Sequence, residues 1–368
     1  MSDSFLELNG AKLYFLFYFI DKLIKQTKTD NDNLPLSNFF RFFFIKTMKL
    51  PKNWISKFLE KQQPHLWRRN DDSQFIDFYL SSNIRVGKIH QDNAKFIKNY
   101  FPHKICLTTT GVKLAEKYDF DIDSRSKLLE EIAFFAKDKL IPFDTFRNEL
   151  YPIYGLDFHL NEDNQKMPLA YVERGASPFF GIQAWGTHCT IYRKKDNGDE
   201  DDNDNIEILV PIRAAHKKWP NMYDSSVAGG LAFPSNEIIS PRYNMIKECL
   251  EETGLDLNKI DNKYQLNYLG QTSHLKINSD RRQYKPRTQI NYEVQVDKNF
   301  KPDAVDGEVA SFQWFSPEKI ISMDILVNGS FKPNSAVVLV QFLMAKKLVH
   351  CDDWQKFIHK SNSKLLVE

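Results

Sequence analysis

The alternation of apolar and polar residues predicts a first half of mixed structure. Apolar residues recur with helical period from Ser124 to Lys139, which predicts a helix. The preceding stretch LTTTGVKLAEKYDF combines β-branched residues with a glycine turn, a pattern typical of strands. A second helix face is predicted in PKNWISKFLEKQ, at 51–62. We therefore expect a mixed α+β domain and not a helical bundle.

The second half changes to strand-like runs from Pro168 onward, namely FFGIQAWGTHCTIYRK, IEILVPIR, YQLNYLGQTS and TQINYEVQV. One charged helix is predicted between Ser240 and Gly254, because serine can cap a first turn and glycine favours the conformation that ends a helix. A nearly continuous apolar helix is predicted from Ser335 to Val349. Strands, a helix, more strands and a closing helix describe an α/β sandwich.

The length of 368 residues suits two domains better than one core. The change of pattern places the boundary between residues 155 and 167. We therefore divide the chain into a smaller α+β domain at 1–160, a sandwich domain at 161–350 and a C-terminal tail at 351–368.

Composition narrows the classes of partner. The 50 basic and 48 acidic residues nearly cancel, so no large basic field is available for nucleic acid. No run reaches the roughly 20 apolar residues that a membrane-spanning helix requires. The four cysteines form no C-x-x-C pair, which fits reduced thiols. We expect a cytoplasmic protein, with the nucleus as an additional location, that acts on a small molecule as a monomer or homodimer and binds neither nucleic acid nor membrane.

The charged helix carries the candidate chemistry. Glu248, Glu251 and Glu252 are spaced so that their carboxylates project from one face, which we expect to be exposed. Each like-charged pair costs a few tenths of a kcal/mol, roughly, on an exposed helix, and a hard cation reverses that cost. Magnesium accepts carboxylate oxygens and is commonly shared with substrate phosphates. The preceding Gly229 and Gly230 allow close backbone approach, and Gly230 could offer a carbonyl to the metal.

A longer string of residues resembles the Nudix box, G-x5-E-x7-R-E-U-x-E-E-x-G-U. The interval from Gly230 to Glu248 is three residues longer than usual, so the early glutamate of the box is not placed, with Glu237 as the best candidate. Lys247 replaces the usual arginine and cannot make a bidentate brace. The resemblance implies a Nudix α/β/α sandwich with a mixed sheet, Mg²⁺ with Mn²⁺ as an alternative, and hydrolysis of a diphosphate linkage. The matching residues are Gly230, Lys247, Glu248, Cys249, Glu251, Glu252, Gly254 and Leu255.

Further strings between residues 146 and 312 are similar to fungal and plant Nudix proteins related to the thiamine pyrophosphokinase-associated Nudix domain. They are FRNELYPIYG, ERGASPFFGIQAWGTHCTIY, WPNMYDSSVAGGL, KECLEETGL and DGEVASF. This resemblance implies a distinct N-terminal domain, and hydrolysis of thiamine diphosphate or its damaged or toxic oxo and oxy analogues to the monophosphate and phosphate. Because the chain ends soon after the last predicted helix, we expect no fused kinase.

Two other functions stay open. A Nudix box recognises only the diphosphate and not the groups attached to it, so a nucleoside diphosphate derivative is an alternative substrate. Lys247 and the longer interval before the helix also leave room for a Nudix-like binding module that has lost catalysis, although the three glutamates argue against it. Isopentenyl-diphosphate isomerase chemistry is disfavoured, because the cysteine motif expected near its active site is missing.

By the same resemblance, Glu248, Glu251 and Glu252 hold the metal, and Glu251 or Glu252 doubles as the general base. Glu308, in DGEV, is a further candidate for a base or metal ligand, against the alternative of a solvated turn carboxylate.

Several residues outside the box are candidates for substrate contact. Arg213, Lys217 and Lys218 follow a predicted strand and can meet phosphate as counter-charges, against the alternative of ordinary surface charges. Trp185 and Tyr223 can stack on a thiazolium or pyrimidine ring, although aromatic residues are more often core. His188 and Cys249 are interpreted as packed residues, and Arg281, Arg282 and Arg287 as a solvated or substrate-steering basic loop.

Overall fold

The computed structural model describes most of the chain from residue 72 to residue 349. The described residues are 57–58, 61, 72–80, 83–141, 145–160, 167–195, 205–232, 240–259, 263–304, 307–322, 325–326 and 328–349. The predicted tail at 351–368, most of the helix predicted at 51–62, and Glu237 lie outside the described residues.

The first unit contains a four-stranded sheet in the order β2-β1-β4-β3. Helix α2 begins where Asp121 accepts a hydrogen bond from the backbone N–H of Ser124 at 2.7 Å, which confirms the helix predicted from Ser124. Its elements are β1 (Phe75–Tyr79), β2 (Arg85–His90), α1 (Gln91–Tyr100), β3 (Ile105–Leu107), β4 (Gly111–Leu114) and α2 (Ile122–Ala136).

A two-stranded ribbon extends this unit beyond the predicted boundary. Strand β5 (Leu150–Ile153) pairs antiparallel with β6 (Ala170–Glu173), and the short helix α3 (Ser177–Phe180) follows. All three elements bury apolar side chains in the core of the first unit, which extends to Ala184. The core of the first unit therefore continues past the predicted boundary at residue 160, because the strand-like pattern after Pro168 begins with a ribbon that packs on the preceding elements.

The second unit is built on a six-stranded mixed sheet in the order β10-β11-β7-β8-β12, with β9 also paired to β7. Strands β11 and β7 are parallel, and the other pairs are antiparallel. Its elements are β7 (Ala184–Lys194), β8 (Ile206–Arg213), β9 (Val227–Gly230), α4 (Pro241–Thr253), β10 (Leu266–Asn278), β11 (Gln283–Val296), β12 (Val309–Phe315), α5 (Pro317–Ser322) and α6 (Pro333–Ala345).

Two hydrophobic cores show that helices cover both faces of this sheet. Met245 and Cys249 of α4 pack with Ile290 and Tyr292 of β11 in one core. Helix α6 packs in a separate core with Tyr192 and the apolar residues of β8. This arrangement confirms the predicted α/β/α sandwich with a mixed sheet. Helix α6 is buried on most sides, as its sequence predicts. Within the described ranges, no helix is long and apolar enough to cross a membrane.

The first unit packs directly on the β10–β11 hairpin. Phe75 of β1 lies 5.6 Å from the Tyr284 ring, centroid to centroid, and both pack with Ile277. The side-chain amide of Asn93 donates a hydrogen bond to the backbone carbonyl of Arg282 at 3.2 Å. These contacts bring residues of the first unit close to the sheet that carries the candidate site.

A close backbone contact in the first unit gives a stability prediction. Gly181 has a φ of 64°, and a Cβ atom there would lie 1.9 Å from the carbonyl oxygen of Lys88. We expect Gly181→Ala to lower the free energy of unfolding by about 3 kcal/mol, because it adds a backbone clash to left-handed strain. Gly307→Ala is the control, since Gly307 has a φ of 74° but nothing within 4 Å of the added Cβ, so strain of roughly 1 kcal/mol is its only cost. Equal losses in urea denaturation would contradict the close contact.

Candidate active site

The helix predicted between Ser240 and Gly254 is present and has the predicted ends. Helix α4 has 13 residues, and the Ser240 hydroxyl accepts a hydrogen bond from the backbone N–H of Tyr243 at 3.2 Å. Gly254 has a φ of 69°, as expected for a glycine that ends a helix. One face of the helix buries Cys249 in the core, as predicted, and Glu248 and Glu252 face β9.

Glu252 is the most enclosed carboxylate of the site. The residue is 8% exposed, and its Oε2 accepts a hydrogen bond from the backbone N–H of Ala228 at 2.8 Å. Burial raises the pKa of Glu252 well above its usual value, the hydrogen bond from Ala228 opposes this shift, and the charges of Glu248, Asp224 and Glu308 add to it. The expectation of an exposed face is therefore wrong for Glu252, because the backbone at Ala228 covers its side chain.

Glu248 lies against the glycine that precedes Gly230. A Cβ atom at Gly229 would lie 2.2 Å from the carboxyl carbon of Glu248, so glycine is needed for this contact. Burial raises the pKa of Glu248; Lys247 opposes the shift, and Glu251 and Glu308 reinforce it. The half-buried Glu248 and the buried Glu252 thus lie beside one backbone strand, and the charge of Glu248 further raises the pKa of Glu252.

Glu251 points away from this pair. Its side chain is half exposed and accepts a hydrogen bond from Lys247 at 2.8 Å, while Lys247 lies 3.5 Å from Glu248. Lysine thus braces two carboxylates with single contacts in place of the bidentate brace of an arginine. Among the residues that the structure describes, no group of three carboxylate, histidine or cysteine side chains is gathered for a metal. The role of Glu251 as a ligand stays a prediction.

The donor set fits a hard divalent cation. A buried and a half-buried carboxylate whose pKa values are both raised are stabilised by a positive charge, and oxygen ligands are those that Mg²⁺ prefers. The predicted carbonyl ligand, Gly230, accepts a hydrogen bond from the N–H of Ala232 at 3.0 Å, and its part in metal binding stays a prediction.

Glu308 shares a small pocket with Glu252. Its carboxylate forms an ion pair with Lys217, so two residues singled out in the sequence meet there. The predicted counter-charge Arg213 also lines the pocket, but it pairs with Asp224 and donates a hydrogen bond from Nε to the carbonyl of Lys218 at 3.0 Å. The lining residues are Pro211, Arg213, Asp224, Ser225, Ala228, Glu252, Glu308 and Val309.

Asp224 organises the floor of this pocket. Although burial opposes ionisation, Lys332 and Arg213 hold the pKa of Asp224 at about 2. Lys332 lies 3.0 Å from its carboxylate, and the hydroxyl of Ser335 donates a further hydrogen bond. Arg213 is therefore neutralised by a buried carboxylate, and its predicted contact with phosphate stays a prediction.

The two predicted stacking residues lie in hydrophobic cores. Trp185 is 5% exposed and packs on the α4 side of the sheet. Tyr223 contacts the rings of Phe315 and Phe331, at centroid distances of 5.6 and 6.1 Å. Packing explains both positions, and stacking on a substrate ring stays a prediction for both.

His188 is a structural residue, as its strand pattern predicts. Its Nδ1 lies 2.9 Å from the hydroxyl of Ser225, and its Nε2 lies 2.9 Å from the amide nitrogen of Gln289. Burial, with the nearby charge of Lys332, lowers the pKa of His188 to about 3. The ring is therefore neutral at physiological pH.

Sequence reasoning missed two residues that the first unit brings to the site. A Cβ atom at Gly230 would lie 2.7 Å from the hydroxyl of Tyr151 and 3.7 Å from the guanidinium carbon of Arg174. Both residues occur in the strings that resemble plant and fungal Nudix proteins, but only the fold shows their position beside β9. Arg287, predicted in a basic loop, lies instead within strand β11, so that interpretation is corrected.

The comparisons with known proteins place the resemblance in both units. Residues 57–184, which end where the first unit's core ends, match a family model described as a domain of unknown function, DUF4743. An uncharacterized protein of Saccharomyces cerevisiae is 28% identical over 61% of this chain, which spans 63% of that relative's length. The chloroplastic Nudix hydrolase 20 of Arabidopsis thaliana is 27% identical over 73% of this chain and 67% of that protein.

Among solved structures, the NUDIX domain of NrtR from Shewanella oneidensis, in complex with ADP ribose, aligns with 45% of this chain and 90% of its own. That alignment has a TM-score of 0.32 and 9% sequence identity. The chain is thus similar, below 30% identity, to plant proteins that are named Nudix hydrolases.

Proposed function

We propose that this protein is a divalent-metal-dependent hydrolase that cleaves a diphosphate linkage in a small molecule. The observation that carries the proposal is the pair formed by the half-buried Glu248 and the buried Glu252, which lie against β9 on a helix that resembles the Nudix box. These residues would hold Mg²⁺, or Mn²⁺ in its place. Bound there, the metal would neutralise phosphate charge and lower the pKa of a water, which typically contributes several kcal/mol, roughly, to transition-state stabilisation.

Glu308 is proposed as the residue that accepts a proton from the attacking water or adds a ligand. It faces the same pocket as Glu252, and its charge acts on both Glu248 and Glu252. Its ion pair with Lys217 holds it at the pocket wall. Lys217 would then exchange that contact for a substrate phosphate, as a counter-charge.

We propose thiamine diphosphate or its oxo and oxy analogues as the first substrates to test, and removal of damaged cofactor as the role. The support is the similarity of residues 146–312 to the Nudix proteins related to the thiamine pyrophosphokinase-associated domain. The carboxylates recognise the diphosphate alone, so nucleoside diphosphate derivatives form the second class. We propose that the protein performs this hydrolysis in the cytoplasm.

The test is diphosphate cleavage by the full chain with Mg²⁺ and with EDTA, followed by chromatography of all phosphorylated products, because an NDP-sugar is cleaved to two monophosphates without the release of free phosphate. The panel contains thiamine diphosphate, its oxo and oxy analogues, an NDP-sugar and a nucleoside triphosphate. We expect metal-dependent cleavage that is confined to the thiamine compounds. Cleavage of the nucleotide compounds instead would retain the hydrolase and replace the substrate class, whereas no cleavage of any compound would contradict the proposed function.

A further inference from the structure

Basic side chains face one another across the β10–β11 hairpin. Lys276 is directly opposite Lys285, and His274 is directly opposite Arg287. Because side chains two residues apart share a face of a strand, Lys276, Lys285 and Arg287 project from the same face. Like charges directly opposite each other in a sheet are destabilising. The hairpin therefore concentrates positive charge at a cost to the fold.

Two more cations from other parts of the chain act electrostatically on Lys285 and Arg287. Lys218 belongs to the segment after β8, and Arg174 follows β6 in the first unit. Burial, then Arg287 and Lys218, lower the pKa of Lys285 to about 8. Partial desolvation and the charge of Arg174 likewise lower the pKa of Arg287, although the residue is exposed at the surface. Five cations from three segments thus lie near enough to oppose one another's charge.

Four of these cations, of which Lys276 and Lys285 are half-buried and Lys218 and Arg287 are exposed, differ in their pairing from other basic residues. Arg193, Lys332 and Lys346 each pair with a carboxylate within 3.0 Å. Within the ranges that the structure describes, by contrast, Lys218, Lys276, Lys285 and Arg287 have no carboxylate partner. Of the five, Arg174 alone has one, Glu149 at 2.7 Å. A bound anion would supply the missing negative charge.

The cluster borders the carboxylate site. Gly229 and Gly230 are consecutive residues of β9, so side chains at these positions would point to opposite faces. Glu248 lies against Gly229, whereas Tyr151 and Arg174 lie against Gly230. The charges of Arg174, Arg287 and Glu248 all act on Tyr151. One strand therefore separates the acidic site from the basic cluster.

We infer that Arg174, Lys218, Lys276, Lys285 and Arg287 form an anion subsite that binds a phosphate group of the substrate next to the metal-binding carboxylates. This inference rests on the proposed function, and it adds that the first unit contributes directly to substrate binding through Arg174. The phosphate is either the end of the cleaved diphosphate or a separate phosphate elsewhere on the substrate. A cationic ring such as thiazolium is excluded from this subsite by like charge and binds away from it.

The test is isothermal titration of the metal-free full chain, in EDTA, with inorganic pyrophosphate. We expect binding by the wild type, and about tenfold weaker binding by Arg287→Gln and by the double variant Lys276→Gln/Lys285→Gln. Lys301→Gln is the control, because it removes the same charge from an exposed lysine outside the cluster. Cluster variants that bind pyrophosphate as tightly as the wild type and the control would overturn the inference.

The thermal stability of the free protein separates binding from folding. Removing one of two opposed lysines relieves repulsion, so Lys285→Gln should raise the melting temperature while it weakens pyrophosphate binding. A lower melting temperature together with weaker binding would mean a structural role and would contradict the subsite.

Affinity should also depend on pH through Lys285. The groups that face it are Arg287 on β11, Lys218 after β8, and Lys276 and Arg281 of the hairpin. An anion raises the pKa of Lys285 from about 8, so binding takes up a proton and weakens as the pH rises above about 8. Lys285→Gln should remove this dependence, and its persistence in that variant would count against the subsite.

Failure of the inference and failure of the proposed function give different results. Cluster-dependent pyrophosphate binding without any hydrolysis would retain the subsite and reject the hydrolase. Hydrolysis with unchanged binding in the variants would retain the hydrolase and reject the subsite. Where both hold, Arg287→Gln raises KM with little effect on kcat. If the subsite binds the cleaved diphosphate, Arg287→Gln raises KM for every substrate. If it binds a separate phosphate, the variant raises KM only for substrates that carry one.

Discussion

Glu252→Gln should abolish most turnover and, at the same time, stabilise the metal-free protein. The amide is a much poorer ligand for Mg²⁺ than a carboxylate, so we expect kcat to fall at least roughly a hundredfold. In EDTA the same change removes a buried negative charge beside Glu248, Asp224 and Glu308. The amide oxygen can still accept the hydrogen bond from Ala228. Function is thus maintained here at the expense of stability.

The pH dependence of that stabilisation has a fixed sign. Burial raises the pKa of Glu252 above its usual 4.5, so the wild-type residue supports the fold fully in acid and less as the pH rises through the raised pKa. The advantage of glutamine is therefore smallest below pH 4.5 and grows toward neutrality. Each unit of pKa shift corresponds to about 1.4 kcal/mol, and we expect the melting temperature in EDTA to rise by roughly 2 to 4 °C at pH 7.5.

Glu251→Gln is the matched control for stability. Glu251 is half exposed and pairs with the exposed Lys247, so the same substitution should change the melting temperature little. A fall in melting temperature for Glu252→Gln, or an equal rise in both variants, would contradict the strain assigned to Glu252.

Gly229→Ala should remove activity without unfolding the protein. The added methyl group would lie 2.2 Å from the carboxyl carbon of Glu248, and a flexible side chain can move away where backbone cannot. Glu248 is then displaced from the metal position, and we expect kcat to fall by about a hundredfold or more, because small misplacements of catalytic groups have large effects. The melting temperature in EDTA should stay close to that of the wild type.

A double variant tests whether the effect passes through Glu248. Glu248→Asp withdraws the carboxylate by one methylene and leaves room for the methyl group at residue 229. Gly229→Ala should therefore cost much less activity in the Glu248→Asp background than in the wild type, a non-additive result that is expected only for residues in contact. Additive losses in kcat would show that Gly229 acts in another way.

Local signals in the sequence were sufficient for the helix and the sandwich. Ser240, Pro241 and Gly254 define helix α4 through capping and backbone preference, and both are properties of single residues. The apolar run of α6 and the alternation along the strands likewise indicate directly which residues are buried. The domain boundary could not be read this way, because the pairing of β5 with β6 crosses it and strand pairing is a property of the fold.

The candidate site was predictable only in part. Spacing on a helix shows that Glu248, Glu251 and Glu252 are neighbours. Whether each side chain is covered depends on β9, whose partner strand β7 lies about 40 residues earlier in the chain. The position of β9 explains why Glu252 is enclosed whereas Glu251 is exposed. Tyr151 and Arg174 reach the site from the first unit, and no local pattern joins residues that are distant in sequence.

The most direct test of the central claim is a titration of the full chain with Mn²⁺. Binding is measured as the loss of the free Mn²⁺ signal in electron paramagnetic resonance. We expect the wild type and Lys301→Gln to bind Mn²⁺ alike, and Glu252→Gln to bind it at least roughly tenfold more weakly. Mg²⁺ should displace the Mn²⁺ in the wild type. Equal Mn²⁺ affinity in the wild type and Glu252→Gln would contradict a metal site built on Glu248 and Glu252.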